Sequence, residues 1–246
     1  MSAGRAPLDL RLRQLAFRFP PAERRTLEDF LPAPCNAEAL DLVLGWPAWP
    51  AACAVVSGPA GCGKSHLLRI FQHLARAPVW SGPALDAAGS PFARLGPAGA
   101  VAVDDADRVR EPEALLALYN AVRERDGRLL LAGRTPPARW AMGPADLRSR
   151  LRAAHHVPIA PPDETLVEAL LVKLARDRGL ELDPPVVRYL AVRSERAFAA
   201  VRRLVELLDE LGLRSGRRVG LDLARRALAR LAAETEGDAW EGGGEG

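Results

Sequence analysis

Lysine is nearly missing from this chain: of its 34 basic residues only Lys64 and Lys173 are lysines, and the rest are arginines. With 21 prolines and abundant alanine, this is a compositional bias toward Ala, Arg and Pro. It devalues any single arginine as a signal and raises the value of Lys64, where arginine was evidently not acceptable. Cysteine is scarce too. Cys35, Cys53 and Cys62 have no paired spacing, which excludes a disulfide or zinc framework and points to a reducing cytoplasm. No apolar run approaches the roughly 20 residues that span a bilayer. The opening MSAGRAPLDLRLRQ has no apolar stretch of the secretory kind, so a cytoplasmic protein without membrane partners is expected. A net charge of +3 does not demand nucleic acid as a partner. The four histidines (His66, His73, His155, His156) lack carboxylate or cysteine partners at ligand spacing, which argues against a histidine metal site.

What is present is ordinary globular material, 48% hydrophobic and 26% charged, in 246 residues. Residues 1–26 are arginine-rich with scattered apolar positions and read as an extended, flexible arm. Residues 38–46 have helical apolar spacing. Short apolar runs at 51–57, 78–81, 100–103, 129–132 and 157–160 alternate with helical or loop segments, which predicts a five-stranded parallel sheet covered on both faces. From 161 onward only helices are predicted. Asp163 caps the first, with Leu166, Val167, Leu170, Leu171 and Leu174 as its apolar face. The second covers 184–192, the third is capped by Ser194, and the fourth runs over about 221–233. The expected organisation is an arm (1–26), an α/β nucleotide-binding domain (27–160), a small all-α lid (161–236) and an unfolded acidic, glycine-rich tail (237–246).

The sharpest motif is Gly58-Pro59-Ala60-Gly61-Cys62-Gly63-Lys64-Ser65, the pattern G-x-x-x-x-G-K-[ST], placed between a predicted strand and a predicted helix over 64–76. Glycines let the backbone wrap a phosphate so that successive N–H groups point inward, and the helix N-terminus aims its positive end at the same anion. Lys64 is expected on the β- and γ-phosphates, Ser65 on Mg²⁺, and His66 beside them at the helix start. The partner motif is the strand 100–103 followed by Asp104 and Asp105. Asp104 is expected near Mg²⁺ and Asp105 as the group that orients an attacking water.

These motifs, in this order, resemble the DnaA-related branch of the AAA+ ATPases and, more narrowly, the Hda family of short homologues that inactivate the initiator DnaA. The resemblance spans residues 12–235 and implies several further roles. Residues 27–37 are similar to the segment that forms the adenine pocket, which implies Leu31 and Asn36 at the base of ADP or ATP; as a sequence feature Asn36 is equally a helix cap. Asp146-Leu147-Arg148-Ser149-Arg150-Leu151 resembles the box whose last arginine is the arginine finger, here Arg150, although a solvated helix face is the plain alternative. Arg196, with Arg193 as competitor, falls where the family carries its sensor 2 arginine. Residues 129–137 align with the sensor 1 strand, but Arg134 stands where DnaA has a small polar or acidic residue. An arginine accepts no hydrogen bond from a water, which argues against efficient hydrolysis in this chain's own site.

Gln14, Leu15, Phe17 and Phe19 resemble the short peptide by which Hda attaches to the DNA polymerase III sliding clamp (β subunit); an edge strand packed on its own domain is the other reading of the same alternation. No basic recognition helix follows the lid, so direct origin recognition is not expected. The resemblance implies a regulator that binds an adenine nucleotide and Mg²⁺, docks on the clamp and stimulates ATP hydrolysis by DnaA, as a monomer or weak homo-oligomer. The alternatives are an autonomous ATPase acting in initiation or helicase loading, and a DNA-binding paralogue using the arginine-rich arm.

Overall fold

The computed structural model describes residues 27–86, 88–140, 142–212 and 218–241, with side chains through Glu234. The chain divides into two compact units. One holds the described residues up to Pro59 together with Gly63–Ala160, and the other holds Ala60–Cys62 with the described residues from Pro161 onward.

The first unit is built on a five-stranded parallel sheet of the expected kind. After helix α1 (Ala37–Leu44) come β1 (Cys53–Ser57), helix α2 (Lys64–Ala75), β2 (Val79–Ser81) and β3 (Val101–Asp104). Helix α3 (Pro112–Glu124), β4 (Leu129–Gly133), helix α4 (Ala145–Arg152) and β5 (His155–Pro158) complete it. The strand order is β2-β3-β4-β1-β5, and every pairing is parallel. Parallel neighbours need crossovers, and helices that cover both faces explain why β1 and β4 are apolar and buried along their whole length. Cys53, Val55, Val101, Val103, Leu129 and Leu131 bury one face against Leu115, Leu118 and Val122 of α3 and Leu147 and Leu151 of α4. Residues of the other parity, including Ala54, Val56, Ala102, Leu130 and Ala132, are buried on the opposite face, where α2 packs on β3 and β4.

The last strand is two residues earlier than the run 157–160 predicts. His155 and His156 begin it, because β5 is an edge strand paired only to β1 and tolerates half-buried polar side chains. Burial in β1 pushes the Cys53 thiol up to about 12.

The second unit contains α5 (Glu164–Asp177), α6 (Pro184–Arg193), α7 (Phe198–Gly212) and α8 (Leu221–Glu241). Asp163 caps α5 as expected, its Oδ1 accepting the Leu166 N–H at 2.8 Å. Three expectations are corrected. Ser194 does not cap α7; it ends α6, its hydroxyl donating back to the Ala191 carbonyl (3.5 Å), and α7 starts only at Phe198. The unit also holds a two-stranded parallel pairing of β6 (Glu181–Leu182) with β7 (Arg218–Val219), too short for period-two alternation to register. Finally, α8 continues through Glu241, into the stretch expected to be unfolded. Gly237 alone costs a helix roughly 1 kcal/mol relative to Ala, and no other helix breaker follows before Glu241. Val167, Leu171, Leu190, Val201, Leu204, Val205 and Leu208 form the centre of this unit's core. Among the described residues no helix is long and apolar enough to cross a membrane.

Candidate nucleotide site

β1 delivers the chain into the glycine loop, and Gly63 turns it into α2. Gly63 sits at φ +97°, a left-handed conformation, and a Cβ there would meet the Phe30 ring at 3.3 Å. No side chain caps α2, so its first N–H groups face the loop with their positive dipole end available to an anion. Lys64 is only 7% exposed. Its Nζ donates to the Gly58 and Pro59 carbonyls at 2.7 and 2.8 Å, which holds the ammonium inside the curl of the loop.

Ser65 and Asp104 lie 39 positions apart in sequence and meet directly. The Ser65 Oγ donates to Asp104 Oδ2 at 2.5 Å, while Asp104 Oδ1 accepts the Asp105 N–H at 2.9 Å. A hydroxyl and a carboxylate side by side at the end of a parallel strand are the hard oxygen donors that suit Mg²⁺. Glycine loop, helix N-terminus, ammonium and oxygen pair therefore fit a magnesium-bound nucleotide phosphate chain. Asp105 does not join them. It adopts φ +48° and sends a 39%-exposed carboxylate to within 3.9 Å of Arg108. Gly82 is pressed against this turn: a Cβ on it would lie 2.2 Å from the Asp105 carbonyl oxygen.

The segment before α1 wraps the start of α2. The Phe30 ring contacts His66 edge-on, with centroids 5.4 Å apart, so His66 packs on the segment expected to form the base pocket. Asn36 is 4% exposed and does not act as the side-chain cap that its position suggests. Its Oδ1 accepts the Ala33 N–H (2.8 Å) and its Nδ2 donates to the Leu31 carbonyl (3.0 Å), so the amide fixes the 31–36 turn. Leu31 is half-buried beside it. Its neighbour Phe30, which sequence reasoning did not single out as a site residue, is the side chain that ties this segment to the loop.

The end of β4 closes the loop from another side. The Gly133 carbonyl accepts the Gly58 N–H at 3.2 Å. The next N–H, of Arg134, donates to Asp107 Oδ2 at 2.7 Å, and the Arg134 side chain is exposed. Behind the loop, the Ser57 hydroxyl is hydrogen-bonded to His156 Nε2 at 2.8 Å. Burial, and then the neighbouring His155, hold the His156 imidazole below its ordinary value.

Arg150 is not extended into solvent. Its Nε donates to Asp146 Oδ1 (2.8 Å), its Nη1 donates to Asn120 Oδ1 (2.7 Å), and its guanidinium lies 5.0 Å over the Tyr119 ring. Its hydrogen bond holds the Asp146 carboxyl below the usual carboxylate range. Asn120 and Tyr119 on α3 carry no sequence signal for this role, because only the packing of α3 beside α4 brings them to Arg150. In the second unit Arg196 is exposed and reaches Glu164 at 3.3 Å, whereas the Arg193 guanidinium stacks 4.1 Å over Tyr189. Gln14, Leu15, Phe17 and Phe19 lie outside the described residues.

Comparison with known proteins agrees with this architecture. Residues 163–228 match the family model described as Hda, lid domain. Domain III of the Thermotoga maritima replication initiation protein DnaA superposes with a TM-score of 0.70 at 17% identity, over 87% of this chain and 98% of that one. AMPPCP-bound DnaA from Aquifex aeolicus gives 0.60 at 17% identity, covering 76% and 67%. The RuvB Holliday junction branch migration motor of Thermotoga maritima gives 0.59 at 20% identity, covering 78% and 67%. The fold is the AAA+ fold, and residues 163–228 are similar to the Hda lid domain.

Proposed function

We propose that this Hda- and DnaA-related AAA+ protein is an adenine-nucleotide-binding regulator of replication initiation. It attaches to the sliding clamp through residues 14–19 and stimulates ATP hydrolysis by DnaA through Arg150. The observation that carries the nucleotide half of this reading is the Ser65–Asp104 contact beside the glycine loop, which brings a metal-side oxygen pair together from the start of α2 and the end of β3. The similarity of residues 163–228 to the Hda lid domain supports the choice of DnaA as partner.

In this mechanism the loop amides and Lys64 hold the phosphates of ADP or ATP, Ser65 and Asp104 hold Mg²⁺, and the 31–36 turn borders the base. Mg²⁺ held there would neutralise phosphate charge. The catalytic gain lies in the partner's site: Arg150 leaves Asp146 and Asn120 and stabilises the charge that develops on the phosphoryl group transferred in DnaA. An arginine supplied in trans is worth about a thousandfold or more in such reactions. Arg150→Ala should therefore abolish stimulation of DnaA on DNA-loaded clamp, measured as phosphate release, while nucleotide binding by this chain is retained. Full stimulation by the variant would refute the mechanism.

A second reading rests on Asp105. Its half-exposed carboxylate follows Asp104 in sequence and, on leaving Arg108, would orient a water, as an autonomous ATPase of initiation or helicase loading would require. Strong turnover without DnaA, lost in Asp105→Asn, would favour it.

A further inference from the structure

We infer that Asn120 and Tyr119 form a latch that holds Arg150 in a withdrawn pose, so that the chain acts on its partner only when docking there outcompetes this intrachain contact. The inference rests on the reading of Arg150 as the arginine supplied to DnaA, and it assigns Asn120 and Tyr119 as positioning residues for that arginine.

Arg150 lies on α4, and the latch is on the neighbouring helix α3. Within α4, Asp146 stands one turn earlier, and its Oδ1 accepts from Arg150 Nε at 2.8 Å, an i,i+4 pair of the kind exposed helices commonly make. That pair alone would leave the far side of the guanidinium open. α3 closes it: Asn120 Oδ1 accepts from Nη1 at 2.7 Å, and the guanidinium lies 5.0 Å over the Tyr119 ring. With these partners the Arg150 side chain is only 25% exposed, whereas Arg152, two residues further on, is exposed.

A guanidinium grips phosphoryl oxygens through paired N–H groups, and two of its edges present such a pair, one containing Nε and the other Nη1. Asp146 takes a donor of the first edge and Asn120 a donor of the second. Neither edge is open to a phosphoryl group while both contacts stand. The two partners differ in grip. Asp146 is exposed, so solvent screens its charge and its hold is weak. Asn120 is half-buried and neutral, so its amide oxygen holds the cation without the strength of a second carboxylate. Such a contact populates the withdrawn pose and still yields to the charge of a phosphate. Stimulation is then scaled down by the share of molecules whose arginine is released.

The test compares the full chain with Asn120→Ala, Asn120→Asp and Arg150→Ala. Reaction with the arginine reagent phenylglyoxal, followed residue by residue by mass spectrometry, reads the latch without any partner. In wild type Arg150 should react about threefold or more slowly than Arg152. The gap should close in Asn120→Ala and widen in Asn120→Asp, which sets a second carboxylate beside the guanidinium. Stimulation of ATP hydrolysis by subsaturating DnaA on DNA-loaded clamp should rise about threefold in Asn120→Ala and fall by a similar factor in Asn120→Asp. A merely structural role for Asn120 would lower stimulation in both variants. Equal reactivity of Arg150 and Arg152 in wild type, or stimulation by Asn120→Ala that stays level or falls, would overturn the latch while leaving the role of Arg150 intact. Absence of stimulation by wild type, or full stimulation by Arg150→Ala, would overturn the role of Arg150 and the latch together.

Discussion

Lys64 and His156 show how differently two residues beside one loop depend on context. The role of Lys64 follows from local covalent geometry: six residues of glycine-rich backbone must curl before the side chain can reach the Gly58 and Pro59 carbonyls. His156 lies far along the chain and meets Ser57 only because β5 pairs with β1. Its imidazole is depressed below the ordinary 6.5, first by burial and then by His155, so the folded state resists protonation more than the unfolded chain does. The sign follows: this residue's contribution is intact above the ordinary value and is lost as pH falls through the lower folded value. Denaturation midpoints measured from about pH 7 down to about pH 5 should decline, and His156→Gln, which keeps an amide near Nε2 for Ser57, should decline less. An identical slope in the variant would show that other groups govern acid sensitivity.

At the scale of elements, strand ends and the start of α2 frame the candidate site, and the packing behind them keeps it in shape. β2 ends at Ser81, opposite Asp104 in the register, and Gly82 then passes so close to the Asp104–Asp105 turn that no side chain fits. Gly82→Ala should destabilise the first unit by about 2 kcal/mol, the usual cost of forcing a methyl against packed backbone, and should weaken Mg²⁺-dependent nucleotide binding by displacing Asp104. Chemical denaturation followed by tryptophan fluorescence, with Trp80 on β2 as a local reporter, checks the first part. An unchanged midpoint would mean that the turn relaxes freely. The elements themselves were largely readable from the sequence, because buried parallel strands are short apolar runs and α5 announces itself with Asp163 and an apolar stripe. What misled was side-chain chemistry at helix ends. Ser194 and Asn36 both carry the right groups for N-caps, yet one turns back to Ala191 and the other to the 31–33 backbone. Local hydrogen-bond partners compete on nearly equal terms, and packing chooses between them.

For the whole molecule, a ligand that binds only the folded chain must stabilise it. Mg²⁺-ATP at about a hundred times its dissociation constant should add about 2.7 kcal/mol, read as a rise in melting temperature that Lys64→Ala abolishes. A melting temperature indifferent to nucleotide would contradict the site. The sequence by itself determined the parallel α/β sheet with a helical unit after it, and it marked Lys64, Ser65 and Asp104 as candidate site residues, because these rest on contiguous motifs and on short buried strands. The tertiary structure alone decided that Arg150 is latched by Asn120 and Tyr119, that Asp107 and Trp140 fix the end of β4, and that Phe30 and His66 join the pre-helix segment to the loop. All of these contacts except the local Trp140–Thr135 hydrogen bond join separate elements of the chain. Their partners are set by the crossing of strands and helices, a property that no local pattern of residues encodes.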